Sequence, residues 1–133
     1  METGTAKAVC RSIAVALFLV FTVLGGATAR TALVVGNSDY STAPLVNPRN
    51  DAKAVASALR EAGFDVDLRL NADRRSLREA IGAFAGKLQS KGGVGLFYFA
   101  GHGVQLGGEN YLLPVDGGFA DAAEMKRSAV SAS

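Results

Sequence analysis

Val94–Gly103 reads V-G-L-F-Y-F-A-G-H-G, an uncharged run that ends in Gly101-His102-Gly103. Its stretch Leu96-Phe97-Tyr98-Phe99-Ala100 has the length of a strand buried on both faces and is too short for a typical helix. The glycines let the backbone turn sharply and come close to whatever binds there. His102 is the sole histidine of the chain. It falls at the carboxyl end of a buried strand, where open α/β sheets place their chemistry. The competing reading is a histidine that simply packs at a strand end.

Thr31–Val35 (T-A-L-V-V) is a second apolar run, ended by Gly36, and it predicts a buried first strand. Asn47-Pro48 marks a helix start, with Asn as cap and Pro at the first helical position. Ala52, Val55, Ala56 and Leu59 follow at the spacing of one helical face, and Gly63 is placed to end the helix. Phe64–Leu70 alternates apolar and charged residues, which predicts a half-exposed strand at a sheet edge. Asp73 is positioned to cap a second helix whose apolar face is Leu77, Ile81, Phe84, Ala85 and Leu88. Arg74, Arg75 and Arg78 crowd its start, oppose the helix dipole and make a solvated face. After the histidine, Gly107-Gly108 separates Val104-Gln105-Leu106 from Tyr111-Leu112-Leu113, a β-hairpin pattern. Asp116–Ser133 is small and polar, without a strong period.

Strand–helix–strand–helix–strand predicts an α/β fold, a parallel sheet with helices on both faces. Two apolar strands and one alternating strand give the spatial order second–first–third. The site is then expected where the first and third strands end, at Gly36–Tyr40 and Gly101–Gly103.

The amino-terminal residues follow a different pattern. Lys7 and Arg11 make a short basic start, Ile13–Leu24 is apolar apart from Thr22, and Ala27-Thr28-Ala29 is a small-residue cleavage site. That is the order of a secretory signal peptide over residues 1–29, which implies export to the periplasm or outside. The alternative is a signal anchor in the membrane, although the apolar run is shorter than the roughly 20 residues of a spanning helix. Cys10 precedes the apolar run, which argues against lipid anchoring. Residues 30–133 then form one small domain. Without residues 1–29 the net charge falls from +2 to +1, since one acid and two bases leave. With no basic run and no tryptophan, nucleic acid is not an expected partner. Cys10 is the only cysteine, so the domain has no disulfide, cysteine nucleophile or cysteine metal ligand of its own.

Several chemistries can be set aside. Gly36-Asn37-Ser38-Asp39-Tyr40 carries neither the glycine fingerprint of dinucleotide sites nor a P-loop lysine, and no cofactor is expected. A metal site needs more ligands than one histidine and scattered carboxylates. No G-x-S-x-G elbow exists for a serine nucleophile. What remains is a histidine whose partner the domain does not supply.

Four segments bring a family into view: A-L-V-V-G-N-S-D-Y, N-D-A-K-A-V-A-S-A-L-R-E-A-G-F-D-V, L-F-Y-F-A-G-H-G-V-Q and E-N-Y-L-L-P-V-D. In this order the chain resembles the caspase and metacaspase family, in its bacterial branch, over about residues 30–130. The first two segments are loose. The strand with A-G-H-G followed by N-Y-L-L-P is specific. The resemblance implies a three-layer sandwich around a mostly parallel sheet, incomplete here at its carboxyl-terminal side. It also implies a cysteine-type endopeptidase acting on polypeptide substrates through a His/Cys dyad. His102 falls on the family's catalytic histidine, and Gly103 on the glycine whose N–H helps to stabilise the oxyanion.

The departure is the cysteine, which in caspases follows the histidine by about 50 residues and would fall near position 150. The chain therefore looks like the front part of such a domain, inactive alone. A non-catalytic remnant acting as a protein-interaction module is the alternative, and an unrelated α/β domain a third. In the family, the strand bearing the cysteine pairs beside Val94–Ala100, so an exposed edge there, open to self-association, is also expected. Caspases that cut after aspartate use an arginine in the loop after the first strand. Here Asn37–Asn47 holds no arginine, and the loop's one acid, Asp39, is the candidate substrate-binding residue for a basic side chain. Its alternative role is to stabilise the turn with Asn37 and Ser38.

The leader reading predicts cleavage after Ala29 and a mature terminus at Arg30. Mass spectrometry of the exported protein checks it. An intact Met1 terminus in a membrane fraction would favour the anchor.

Overall fold

The computed structural model describes residues 17–23 and 29–132. The basic start of the expected leader, Cys10 and Ala27-Thr28 lie outside these residues. The elements are β1 (Leu17–Val23), β2 (Arg30–Gly36), α1 (Pro48–Glu61), β3 (Asp65–Leu70) and α2 (Arg74–Lys91). They continue with β4 (Gly93–Ala100), β5 (Gly103–Leu106), β6 (Glu109–Leu112), α3 (Ala122–Ser128) and β7 (Val130–Ser131).

β2 sits inside the sheet because Thr31–Gly36 is uncharged and can be covered on both faces. It pairs in parallel with β3 on one side and β4 on the other, the order second–first–third expected from the strand compositions. The two faces of β2 and β4 feed different cores. Leu33, Val35, Phe97 and Phe99 face Leu77, Ala80, Phe84 and Leu88 of α2. Ala32, Val34, Tyr98 and Ala100 face Ala52 and Ala56 of α1. Full burial of an aliphatic or aromatic side chain of this kind is worth about 1.5–3 kcal/mol. The result is the three-layer α/β sandwich. β3 lies at the sheet's outer edge with Asp65 and Arg69 exposed, as its alternation requires.

The helix ends repeat the sequence signals with two corrections. The Asp73 carboxylate caps α2 by accepting the Ser76 N–H at 2.7 Å. Asn47 makes no side-chain cap on α1 because its backbone is already helical (φ −95°, ψ −27°). Ser38 Oγ instead accepts the Arg49 N–H at 3.2 Å, tying the start of α1 to the loop after β2. On α2, Ala85 is exposed and Ala80 takes its place in the core.

The hairpin forms as β5 and β6, with Gly107 (φ +60°) and Gly108 (φ +84°) as its two-residue turn. Consecutive left-handed residues match the twist of the flanking strands, which is why the turn is Gly-Gly. Asp116–Ser133, aperiodic in sequence, contains α3 and then β7, which extends the hairpin to a three-stranded sheet. Asp121 accepts the Glu124 N–H at 2.7 Å, and the Glu124 carboxylate accepts the Ala120 N–H at 2.9 Å. The two bonds brace the start of so short a helix, the second one residue ahead of its cap. Met125 and Ala129 bury it against Tyr111 and Leu113.

The edge of β4 is not open. β1 lies antiparallel along it, from Leu17 opposite Phe99 to Val23 opposite Gly93. Phe18 stacks edge to face on Tyr98 with ring centroids 5.2 Å apart. The expected exposed edge is thus occupied by the apolar run assigned to the leader, whose β-branched and aromatic residues suit a strand. Phe18 and Val20 stay more than half exposed, so the apolar edge has moved outward by one strand. Ala29, the residue before the expected cleavage point, accepts the Val94 N–H through its carbonyl at 2.8 Å.

Residues 30–133 expressed alone should self-associate more strongly than the full chain, because β4 then presents unpaired backbone beside Leu96–Phe99. Light scattering of both forms measures this. A stable monomeric fragment with cooperative unfolding would show that β4 needs no neighbour.

Candidate active site around His102

The carboxyl ends of β2 and β4 meet, and the chain ties them together with buried polar groups. Asn37 follows β2 and is fully buried. Its N–H donates to the Ala100 carbonyl at 2.8 Å, which links the two strand ends. Its Oδ1 accepts the Ala72 N–H at 2.8 Å, and its Nδ2 donates to the Ala72 carbonyl at 3.2 Å. A longer bond of 3.4 Å reaches the Leu113 carbonyl. One amide side chain thus joins the β2 loop, the β3–α2 connection and the segment after β6. Asn71 repeats the device nearer the surface. Its left-handed backbone (φ +54°) presents Oδ1 to the N–H groups of Ser38 and Asp39 at 3.0 and 3.1 Å.

Tyr40, three residues beyond Asn37, is buried. The β5–β6 register, Gly103 opposite Leu112, makes His102 and Leu113 the next pair. The Leu113 N–H donates to the His102 carbonyl at 2.9 Å, one half of a hydrogen-bonded pair. The other half is relayed: the His102 N–H donates to Tyr40 Oη at 3.0 Å, and that hydroxyl donates to the Leu113 carbonyl at 2.8 Å. Burial pushes the Tyr40 phenol up to about 12, the bond from His102 opposing the shift, so it keeps its proton near neutral pH.

The His102 side chain is buried as well. Nε2 lies 2.7 Å from the Ala43 carbonyl. A carbonyl can only accept, so the neutral imidazole carries its proton on Nε2 and has its lone pair on Nδ1. Among the described residues Nδ1 has no hydrogen bond, so its lone pair is not taken up by the fold. Tyr40 and Phe119 flank the ring edge to face, with centroids at 4.5 and 5.3 Å.

The flanking glycines differ from the sequence expectation. Neither has a positive φ, so no left-handed turn requires them. Gly101 is needed for space: a Cβ there would lie 2.6 Å from Tyr40 Oη and 2.9 Å from the Phe99 ring. At Gly103 the nearest atom to a Cβ would be the Tyr111 carbonyl oxygen at 3.4 Å, an ordinary contact. Because His102 and Leu113 form a hydrogen-bonded pair, Gly103 falls at the following non-bonded position. Its N–H therefore points away from β6, on the side away from the ladder.

Asp39 sits in the same loop but with other partners. Its Oδ2 accepts from Asn71 Nδ2 at 2.8 Å and from Arg49 Nη1 at 3.1 Å. The carboxylate remains largely exposed. Among the described residues no group of three or more His, Cys, Asp and Glu side chains could hold a metal. Sequence reasoning placed His102 and Gly103 at the end of the third parallel strand, where the structure has them, but missed the contacts that Asn37, Tyr40, Phe119 and the Ala43 carbonyl make there. A polar Asn and Tyr just after a buried strand was the available signal.

The loop after the first parallel strand and the histidine after the third meet at the sheet end expected from the strand order, and residues 29–131 match the caspase domain model. The chain belongs to the caspase-domain family. Mucosa-associated lymphoid tissue lymphoma translocation protein 1 of Homo sapiens is 35% identical over 88 residues, 65% of this chain and 11% of that protein. Its homolog in Mus musculus is 34% identical over 88 residues, 65% of this chain and 10% of its own. The chain thus spans about a tenth of the length of these curated relatives. Membership in the caspase-domain family confirms the α/β fold and ties the chain to peptidase-related function. The match covers all three parallel strands and the Gly-His-Gly segment.

The two glycines of this caspase domain should respond differently to an added methyl group. Gly101→Ala is expected to lower stability by about 1–3 kcal/mol through overpacking. Gly103→Ala should stay within about 0.5 kcal/mol of the parent. Urea unfolding of the full chain followed by circular dichroism compares them, and equal losses would contradict the close approach of Tyr40 to Gly101.

Proposed function

We propose that this chain carries the histidine half of a cysteine endopeptidase, His102 serving as the proton carrier of a His/Cys dyad. The observation behind this is the division of labour on the imidazole. Nε2–H is held by the Ala43 carbonyl, and among the described residues no group takes the Nδ1 lone pair. A base must be held in one orientation and still have a nitrogen to offer.

The thiol comes from a cysteine that residues 30–133 do not contain. Its S–H proton passes to Nδ1, and the thiolate attacks the carbonyl carbon of a polypeptide substrate. The oxygen of the tetrahedral adduct takes a hydrogen bond from the Gly103 N–H, with the N–H of the cysteine as second donor. The absence of a side chain at Gly103 keeps that approach clear. As the C–N bond breaks, Nδ1–H protonates the departing amine and a thioester remains. Water then attacks the thioester, gives a proton to Nδ1 and releases the acid, after which the proton returns to sulfur.

Asp39 contributes at most a weak preference for a basic residue. Its Oδ2 already holds Arg49 and Asn71, so a substrate cation would have to use Oδ1 beside the opposing charge of Arg49. Export through the amino-terminal leader remains part of the proposal and places the peptidase outside the cytoplasm.

The chain alone is expected to leave Arg-, Lys- and Asp-terminated reporter peptides intact. Joined to the carboxyl-terminal part of a caspase domain bearing the cysteine, it should cleave, and His102→Ala should abolish the activity. Cleavage by the chain alone that disappears in His102→Ala would point to another nucleophile. A folded, joined protein without activity would sink the peptidase reading.

A further inference from the structure

Tyr40 reaches His102 through both ends of its side chain. The hydroxyl takes the place of a direct ladder bond, accepting the His102 N–H at 3.0 Å and donating to the Leu113 carbonyl at 2.8 Å. The ring meets the imidazole at 4.5 Å and 67°. Phe119 completes a three-ring cluster, 5.3 Å from the imidazole at 79° and 5.8 Å from Tyr40 at 80°. One hydrogen bond at Nε2 leaves an imidazole free to rock about its Cβ–Cγ bond, and rings packed at steep angles against it remove that freedom.

We propose that Tyr40 is a positioning residue for His102. Its hydroxyl holds the histidine's backbone at the end of β4, and its ring, with Phe119, holds the imidazole so that Ala43 captures Nε2–H and Nδ1 stays presented. The inference deepens the peptidase reading and rests on it. Tyr40 acts only through the histidine. Gly101 belongs to the same device, since its lack of a side chain makes room for the hydroxyl. The buried phenol remains a neutral donor and acceptor at any pH where a peptidase of this type works, because its own ionisation is pushed up to about 12.

One histidine in the chain gives one imidazole signal set, so nuclear magnetic resonance of the full ¹⁵N-labelled protein reads the device directly. In the parent, the Nε2–H proton should be visible and slow to exchange with water. In Tyr40→Leu it should exchange roughly five- to tenfold faster, the factor an edge-to-face ring pair is worth. The Leu33 and Val34 amides in β2 should not change. Tyr40→Phe separates the two roles: Nε2–H stays protected, while the His102 backbone amide exchanges faster. Phe119→Leu breaks no buried hydrogen bond and should speed Nε2–H exchange to a smaller degree. If Tyr40→Leu does not fold, Tyr40→Phe and Phe119→Leu decide. Unchanged Nε2–H exchange in every folded variant that loses a ring overturns the proposal, as does a change that only tracks the Leu33 and Val34 amides. The measurement needs no cysteine, so its failure leaves the peptidase reading standing. Absence of cleavage by the joined protein likewise leaves the exchange result untouched.

Discussion

The buried side chain of Asn37 is the interaction on which the carboxyl end of the sheet depends. A primary amide with no access to water is costly unless its donors and acceptor find partners. Here both sides of the amide are used, on Ala72 and on Leu113, and the backbone N–H binds the end of β4. These bonds bring together loops that are distant in sequence. An apolar residue of the same size would leave the Ala72 N–H buried without a partner. The loop that carries Tyr40 and the Ala43 carbonyl starts from this anchor, so the histidine's surroundings inherit their placement from it.

His102 is accordingly held at backbone and side chain by three groups from two segments, the loop after β2 and the chain after β6. Tyr40 takes its N–H, Leu113 its carbonyl and Ala43 its Nε2. Each of these partners is a hydroxyl or a backbone group. None carries a charge, so the ring's orientation does not depend on an ion pair that salt could screen. Asp39 of the same loop pairs with Arg49 of α1, and because both side chains are exposed the energetic weight of that pair is small.

The edge beside β4 shows how the same residues can serve two structures. Leu17–Val23 is apolar enough for an export leader and β-prone enough for a strand. An uncharged, unpaired edge accepts such a segment because seven successive register positions satisfy backbone groups that would otherwise face water. The pairing also draws the Ala29 carbonyl into the sheet through Val94. Docking of this strand and extension of the chain around Ala29 are thus competing arrangements of one segment.

Much of the architecture could be read directly from residue order. The buried strands, the alternating edge strand β3, the Asp73 cap, the Gly-Gly hairpin and the spatial order second–first–third all rest on local composition and periodicity. His102 at a strand end was equally legible, because a single histidine after an apolar run leaves little choice of place. The helix α3 was not, since its Asp121 cap lies in a polar segment and its burial depends on Tyr111 and Leu113 from elsewhere. Nor could the sequence reveal why Gly101 must be glycine: the atom that excludes a side chain there belongs to Tyr40, 61 positions earlier. Periodicity and local composition determined the elements and put the histidine at the sheet's carboxyl edge. Only the tertiary structure decided which nitrogen of that histidine is held and which is offered, because that choice is made by groups such as the Ala43 carbonyl, whose contact with His102 exists only once the loops have closed.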